Sequence, residues 1–224
     1  MGDVTGDATD AHGSTAEGTT GGVVRVDHVE TSGTFSLDGE THQVDNNVWV
    51  LGDEDECLVV DPAHDLDAVA ALVAGRRVVA VVLTHAHDDH CREAPEAGRR
   101  FDAPVMLHPD DAPVWQLTHG DARWDADLSD GQVLRVAGTE VHVLHTPGHS
   151  PGAVCLHVPD LHTVLTGDTL FQGGPGATGR SFSDRDVIEA SIRSRLFPLP
   201  DDTVVRTGHG GATSIGAEAA GLGR

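Results

Sequence analysis

Tyrosine and lysine do not occur in this 224-residue chain, and aromatic residues make up only 4% of it. All 14 basic residues are therefore arginine, set against 36 acidic ones, for a formal net charge of −22. A field of that sign repels phosphate backbones, and no arginine groove stands out, so no nucleic-acid partner is expected. Cysteine is scarce too. Cys57, Cys91 and Cys155 are odd in number and have no paired spacing, which argues for reduced thiols rather than a disulfide framework. Long apolar runs and a basic-then-apolar leader are also missing, so no membrane association is expected and a cytoplasmic protein is. Heavy use of Ala, Gly, Val and Asp without Lys fits a GC-rich coding sequence or adaptation to salt equally well.

Residues 1–22 carry four acids, no Lys or Arg and almost nothing large and apolar. Such a stretch buries too little to offset its ordering entropy, so it reads as a disordered acidic tail ahead of a single domain over 23–224. Within that domain, strand-like runs fall at Val23–Val29, Thr34–Leu37, Asn47–Leu51 and Cys57–Val60, the first of them arranged as hairpin-like units. A short helix over Asp65–Ala74 and an apolar strand ending at Leu83 follow. Further helices are expected from His90 to about Arg100, from Pro109 to about Leu117 and over Asp184–Leu196. Strands are expected at Val105–Leu107, Val133–Val136, Glu140–Leu144, Ala153–Val158, Thr163–Leu165 and Thr203–Arg206. This order fits mixed sheets sandwiched by helices, an α/β arrangement.

What the chain does have is histidine, 15 in all. His85-Ala86-His87-Asp88-Asp89-His90 packs three imidazoles and two carboxylates directly after the apolar run Val78–Leu83, which reads as a strand buried on both faces. A turn there puts His85 and His87 at the sheet's mouth. Asp88 or Asp89 then caps the helix that follows, and Asp89 and His90 point back from its first turn. So many metal-binding groups in one hexapeptide point to a metal site. Later strands end in the same way, with a small residue and then a ligand group: His149 after Pro147-Gly148, Asp168 after Thr166-Gly167, and His209 between glycines. Cys91 reads as packing or as a group behind the ligands, and His142 and His145 as non-ligands.

On these residues the chain resembles the metallo-β-lactamase-fold hydrolases, and among them the glyoxalase II-like thioester hydrolases. The resemblance rests on Thr84–His90 (THAHDDH), His145–Gly152 (HTPGHSPG), Thr166–Phe171 (TGDTLF) and Thr207–Gly210 (TGHG), and extends from about Val23 to Ile215. It implies an αββα sandwich of two mixed β-sheets with a dinuclear site built at the strand ends. Position by position, His85, His87 and His149 would hold one ion, Asp89, His90 and His209 the other, and Asp168 would bridge them, with Asp61 supporting a ligand histidine from behind.

All seven candidate ligands offer nitrogen or oxygen, which suits two divalent ions, zinc first, with iron or manganese as alternatives. Such a pair acidifies a bridging water, so that hydroxide attacks a small-molecule carbonyl, with Asp89 orienting the water and taking its proton. No Gly-x-Ser-x-Gly elbow is read as competing with that scheme. His90 and Asp168 stand where one lactamase class carries Arg and Cys, which points away from β-lactams, and the absence of Tyr points away from lactonases that use one. The chain ends 15 residues after His209, short of the helical domain with which glyoxalase II grips glutathione. The expected substrate is thus an acyl thioester of a low-molecular-weight thiol, mycothiol ahead of glutathione. Arg180, in the glycine-rich loop Phe171–Phe182, either binds a substrate carboxylate or ties that loop down. Trp115, His119 and Trp124 either wall the pocket or fill a minor core. A persulfide dioxygenase-like protein with one iron, and a non-catalytic metal-binding protein, are the alternative readings.

Overall fold

The structure, a computed structural model, describes residues 22–223. The acidic tail expected over 1–22 lies outside the described residues save for Gly22.

The first sheet opens with one long hairpin where the sequence suggests separate short units. Strands β1 (Arg25–Leu37) and β2 (Glu40–Gly52) pair antiparallel along their whole length, closing with Leu37 opposite Glu40. The turn is Asp38-Gly39, with φ of 55° and 80°. An Asp-Gly pair is suited to a two-residue turn in which both residues take positive φ. The polar stretches Thr31–Gly33 and Glu40–Asp45 hide the continuity, because this outer part of the hairpin is largely solvated and shows no apolar run. Strands β3 (Glu56–Val60), β4 (Arg77–Val82), β5 (Val105–Leu107) and the short β6 (Ala126–Asp127) complete the sheet in the order β1-β2-β3-β4-β5-β6.

The second sheet contains β7 (Val133–Val136), β8 (Thr139–His145), β9 (Val154–Val158), β10 (Thr163–Gly167), β13 (Val204–Thr207) and β14 (Thr213–Ser214), in the order β14-β13-β10-β9-β8-β7. A two-stranded ribbon, β11 (Leu170–Phe171) with β12 (Gly174–Pro175), follows β10. Three apolar layers show how the sheets stack. Val82, Leu58 and Val60 of the first sheet meet Val143, Leu156 and Leu165 of the second. The outer face of the first sheet packs on α1 (Leu66–Val73), α3 (Ala94–Phe101) and α4 (Ala112–His119), and that of the second on α5 (Arg185–Ser191) and α6 (Ile215–Gly221). The result is the αββα sandwich of two mixed sheets.

The helices differ from expectation where proline or local polarity intervenes. The helix expected after His90 is two pieces, α2 (Asp88–Cys91) and α3, which restarts with Pro95 in its first turn, where a missing N–H costs nothing. Neither Asp88 nor Asp89 caps α2. Its N-cap is His87, which makes no side-chain cap bond. Asp88 instead accepts from Ser36 N at 2.9 Å and pairs with Arg92, tying β1 to the hexapeptide. The helix expected from Pro109 begins as a 3-10 turn over Pro109–Asp111, and the one expected over Asp184–Leu196 passes after Ser191 into a π turn. The two-residue strands and α6 were not anticipated, since two residues show no period. No helix among the described residues is long and apolar enough to cross a membrane.

Cys57, Cys91 and Cys155 are all buried free thiols. Burial raises all three, Cys155 to about 11. A thiol reagent at pH 8 is therefore expected to find none reactive in the folded protein and three after unfolding in guanidinium. Immediate reaction of any of them would contradict this packing.

Candidate metal centre

The loops that follow β3, β4, β8, β10 and β13 meet at one edge of the sandwich, and each delivers a polar side chain. After β4, Leu83 N donates to Met106 O at 2.9 Å, so the chain stays in the sheet up to the turn that releases His85 and His87. After β10, Gly167 takes φ +48°, and a Cβ there would lie 2.3 Å from Thr84 Oγ1. That close approach brings Asp168 against the β4 loop.

Two trios of ligand atoms result. In the first, His85 Nε2 lies 3.1 Å from His87 Nδ1, which lies 2.9 Å from His149 Nε2. The partners on the far sides of two rings fix their tautomers. His149 Nδ1 is 2.9 Å from the carbonyl of Ala177 and must carry the proton. Thr84 Oγ1 donates to Asp61 Oδ2 at 2.6 Å and so accepts from His85 Nδ1 at 3.1 Å. His85 and His149 therefore aim lone pairs at His87 Nδ1. Burial and the neighbouring imidazoles hold His85 well below the usual histidine range and His87 at about 3, so both rings are neutral at neutral pH and free to ligate a cation.

In the second trio, His90 Nε2 is 3.5 Å from Asp89 Oδ2 and 3.3 Å from His209 Nε2, and Asp89 Oδ2 is 3.3 Å from His209 Nε2. His209 Nδ1 donates to Asp45 O at 2.7 Å and His90 Nδ1 to Asp61 Oδ2 at 3.1 Å, which again leaves both Nε2 atoms facing inward. Burial opposes charge here, but carboxylates outweigh it, raising His90 to about 9 and His209 to about 11. Asp89 is also resisted by burial, and His90 and His209 draw it down to about 2.

Asp168 stands between the trios. Its Oδ1 is 3.4 Å from His90 Nε2, and its Oδ2 is 3.6 Å from His149 Nε2 and 3.4 Å from His209 Nε2. Among the described residues, Oδ1 is buried without a hydrogen-bond partner. Four-coordinate zinc with bonds of about 2.0–2.1 Å places its ligand atoms about 3.3 Å apart, close to the spacings in both trios. The donor set, its inward lone pairs and the orphaned carboxylate oxygen fit divalent ions.

The structure thus brings together His85, His87, Asp89, His90, His149, Asp168 and His209, with Asp61 behind them. Asp61 Oδ1 accepts from Thr84 N at 2.7 Å while Oδ2 accepts from His90 Nδ1 at 3.1 Å, so it orients the ligand loop and one ring together. His142 and His145 lie outside the cluster, and His145 stacks on His108 at 4.1 Å between centroids. Trp115 and Trp124 belong to the core under the first sheet, and His119 Nε2 meets Cys91 O, so none of the three walls the site. Gly148-His149-Ser150-Pro151-Gly152 does spell the Gly-x-Ser-x-Gly pattern, a match the sequence reading overlooked. Ser150 is buried and its Oγ donates to Asp111 Oδ2 at 3.0 Å, so it presents no nucleophile.

Two supporting residues were missed. Asn46, fully buried, donates from Nδ2 to Asp89 Oδ2 at 3.0 Å and accepts at Oδ1 from His64 Nε2 at 2.8 Å, so it holds the Asp89 carboxylate. Its signal was an Asn-Asn pair leading into an apolar strand. Asp111, also fully buried, accepts from Ala86 N at 2.7 Å, Ser150 Oγ at 3.0 Å and Gly152 N at 2.5 Å. It thereby clamps the His85–His87 loop to the His149 loop. Burial pushes Asp111 up to about 6 despite those donors. Nothing local in the sequence marks it.

A Cβ on Gly208 would lie 2.2 Å from Asp168 Oδ1 and 2.8 Å from His90 Cε1. Gly208→Ala is expected to weaken metal binding roughly 10- to 100-fold, as when groups that orient ligands are disturbed, while far-UV circular dichroism stays native. Unchanged metal affinity would contradict this packing.

A four-layer sandwich with a histidine and carboxylate cluster at its strand ends defines a metal-dependent class of proteins. The chain belongs to the metallo-beta-lactamase superfamily, whose family model matches residues 43–209. It is 40% identical over 89 residues to hydroxyacylglutathione hydrolase GloC of Haemophilus influenzae, a match covering 40% of this chain and 42% of that protein. The matched segment thus spans less than half of that relative. Among solved structures, the BLEG-1 B3 metallo-beta-lactamase is 29% identical with a TM-score of 0.69, covering 85% of this chain and 97% of that one. TTHA1623 in a di-iron-bound form is 30% identical with a TM-score of 0.69, covering 84% and 96%.

Proposed function

We propose that the chain is a two-metal hydrolase of the glyoxalase II-like branch that cleaves small acyl thioesters of a low-molecular-weight thiol such as mycothiol or glutathione. Zinc is the first choice of ion, with iron or manganese as alternatives. The observation that carries this reading is the position of Asp168, within reach of both trios through its two oxygens. The hydroxyacylglutathione hydrolase name of one relative and the di-iron form of another support it.

Divalent ions held there would acidify water and polarise a carbonyl. The chain's own residues do the rest. His85, His87 and His149 would hold one ion, and Asp89, His90 and His209 the other, with the His85, His149, His90 and His209 rings fixed by the hydrogen bonds on their far sides. Asp89, steadied by Asn46 Nδ2 at 3.0 Å and lining the cavity, orients the attacking water and receives its proton. Phe35, Val44 and Ala177 wall the approach and limit bulk water around the reacting carbonyl. Neither the three buried thiols nor Ser150, bound to Asp111, offers a competing nucleophile.

Purified protein offered acyl thioesters of mycothiol and of glutathione, the β-lactam nitrocefin, and a persulfide with oxygen uptake followed tests this reading. Thioester cleavage abolished by a chelator and restored by zinc, iron or manganese supports it. Cleavage of nitrocefin alone, or oxygen consumption on the persulfide alone, overturns it.

A further inference from the structure

Asn46 of β2 is fully buried, and its neighbours fix which way its amide faces. Nδ2 lies 3.0 Å from the ionised carboxylate of Asp89, at Oδ2, and 3.3 Å from His90 Nε2, whose ring donates through Nδ1 to Asp61. Both are acceptors, so the amide nitrogen faces the second trio and Oδ1 faces His64 Nε2 at 2.8 Å. Burial holds the half-buried His64 below the ordinary histidine value, so near neutral pH its ring has one proton to place. Asn46 Oδ1 draws that proton to Nε2. The ring reaches Asn46 from an uncommon backbone. His64 takes φ 55°, in the left-handed region, and lies against Gly33 of β1, where a Cβ would be 2.1 Å from its Nδ1. Local strain of this kind is kept where the side chain it aims has a use. Tying down the loop is not that use. Thr31 Oγ1 donates to Ala63 O at 2.9 Å, and Asp65 Oδ1 caps α1 through Asp67 N and Ala68 N at 3.0 Å, so the backbone on both sides of His64 is held without the ring.

We propose that His64 is a positioning residue, whose Nε2–H fixes the Asn46 amide and through it the Asp89 carboxylate of the second trio. The inference rests on the two-metal hydrolase reading and adds a group that acts from behind Asp89. A buried acceptor left without a donor costs free energy, so without the His64 proton the Asn46 amide is driven to turn. Any turn that carries Oδ1 toward a new donor takes Nδ2 off Asp89, and a full reversal sets Oδ1 against the carboxylate. The His90 lone pair is committed elsewhere when a cation is bound, which leaves the amide to its bonds with His64 and Asp89. Asp89 then loses both the bond that orients it as a ligand and the one that aims it at the attacking water.

The test titrates zinc into the full chain after chelation, as wild type, His64→Leu and His64→Gln. The two replacements are close in size and meet the same left-handed backbone, so they differ in the donor that Gln keeps. His64→Leu should weaken one of the two zinc-binding steps roughly 10- to 100-fold and leave the other within about twofold, and His64→Gln should recover most of the loss. On zinc-loaded protein, kcat for a cleaved thioester should fall about 10-fold in His64→Leu. KM should stay within about twofold, since His64 does not line the cavity. Equal weakening of both steps, or equal losses in the Leu and Gln variants, would make the ring a packing group and overturn the assignment. So would a Leu variant that binds zinc as wild type does. The zinc steps need no turnover, so they decide the assignment even where no thioester is cleaved. If wild type takes up fewer than two ions, the two-metal reading is what fails, and NMR of the Asn46 side-chain amide in the metal-free chain decides for His64. A proton shifted downfield by Asp89 in wild type and His64→Gln but not in His64→Leu supports the assignment, and the same shift in all three overturns it.

Discussion

Replacing Asp111 with Asn should cost the protein about 3 kcal/mol of stability and loosen its hold on metal roughly 10- to 100-fold, although Asp111 touches none of the seven candidate ligands. The carboxylate accepts three hydrogen bonds, two of them from backbone amides on different loops. An amide of the same shape keeps one acceptor and turns the other into a donor. Either orientation sets N–H against N–H, at Gly152 or at Ala86, and a buried donor left unpaired costs about 1–3 kcal/mol. For a domain of this size that is a fall in Tm of roughly 6–12 °C. The loops so released carry His85, His87 and His149, so the loss extends to the first trio. Thermal unfolding with zinc titration of wild type and Asp111→Asn checks both parts. A variant that unfolds like wild type and binds zinc equally well would remove Asp111 from the account.

The second large effect is expected at Asp168. Asp168→Ala should leave no more than one ion per chain and lower kcat for a cleaved thioester by at least about 100-fold, since loss of a shared ligand should exceed the loss of a group that only orients one. The carboxylate lies within 3.6 Å of ligand nitrogens from both trios, those of His90, His149 and His209. Without it His90 and His209 keep Asp89 but lose their link to His149. Circular dichroism should stay native, because Gly208 N donates to Gly167 O at 2.8 Å and Thr169 N to Thr166 O at 3.0 Å without using the carboxylate. Two ions bound by Asp168→Ala, with activity near wild type, would show that the trios act without a shared ligand.

Much of the centre could be read from the sequence because its ligands lie in short runs directly after strands, so that a buried apolar run such as Val78–Leu83 announces the loop that follows. The αββα layering followed from the family resemblance, and the strands' β-branched runs were visible by themselves. What stayed hidden depends on contacts between distant segments. Asp111 lies 25 and 41 residues from the amides it accepts from, and Asn46 reaches Asp89 across 43 residues. The long β1–β2 hairpin went unseen because its outer half is solvated, although Asp38-Gly39 marks its turn. Gly148–Gly152 teaches the opposite lesson. A catalytic spelling was present in the sequence, and burial of Ser150 against Asp111 gives it a structural use.

The central claim, two ions held by two trios sharing Asp168, is tested most directly by counting metal in protein purified without added metal. Elemental analysis against protein concentration should return close to two divalent ions per chain, falling toward zero after chelation and returning to two on reloading. A stable content of one ion that further loading cannot raise, or none at all, would contradict it.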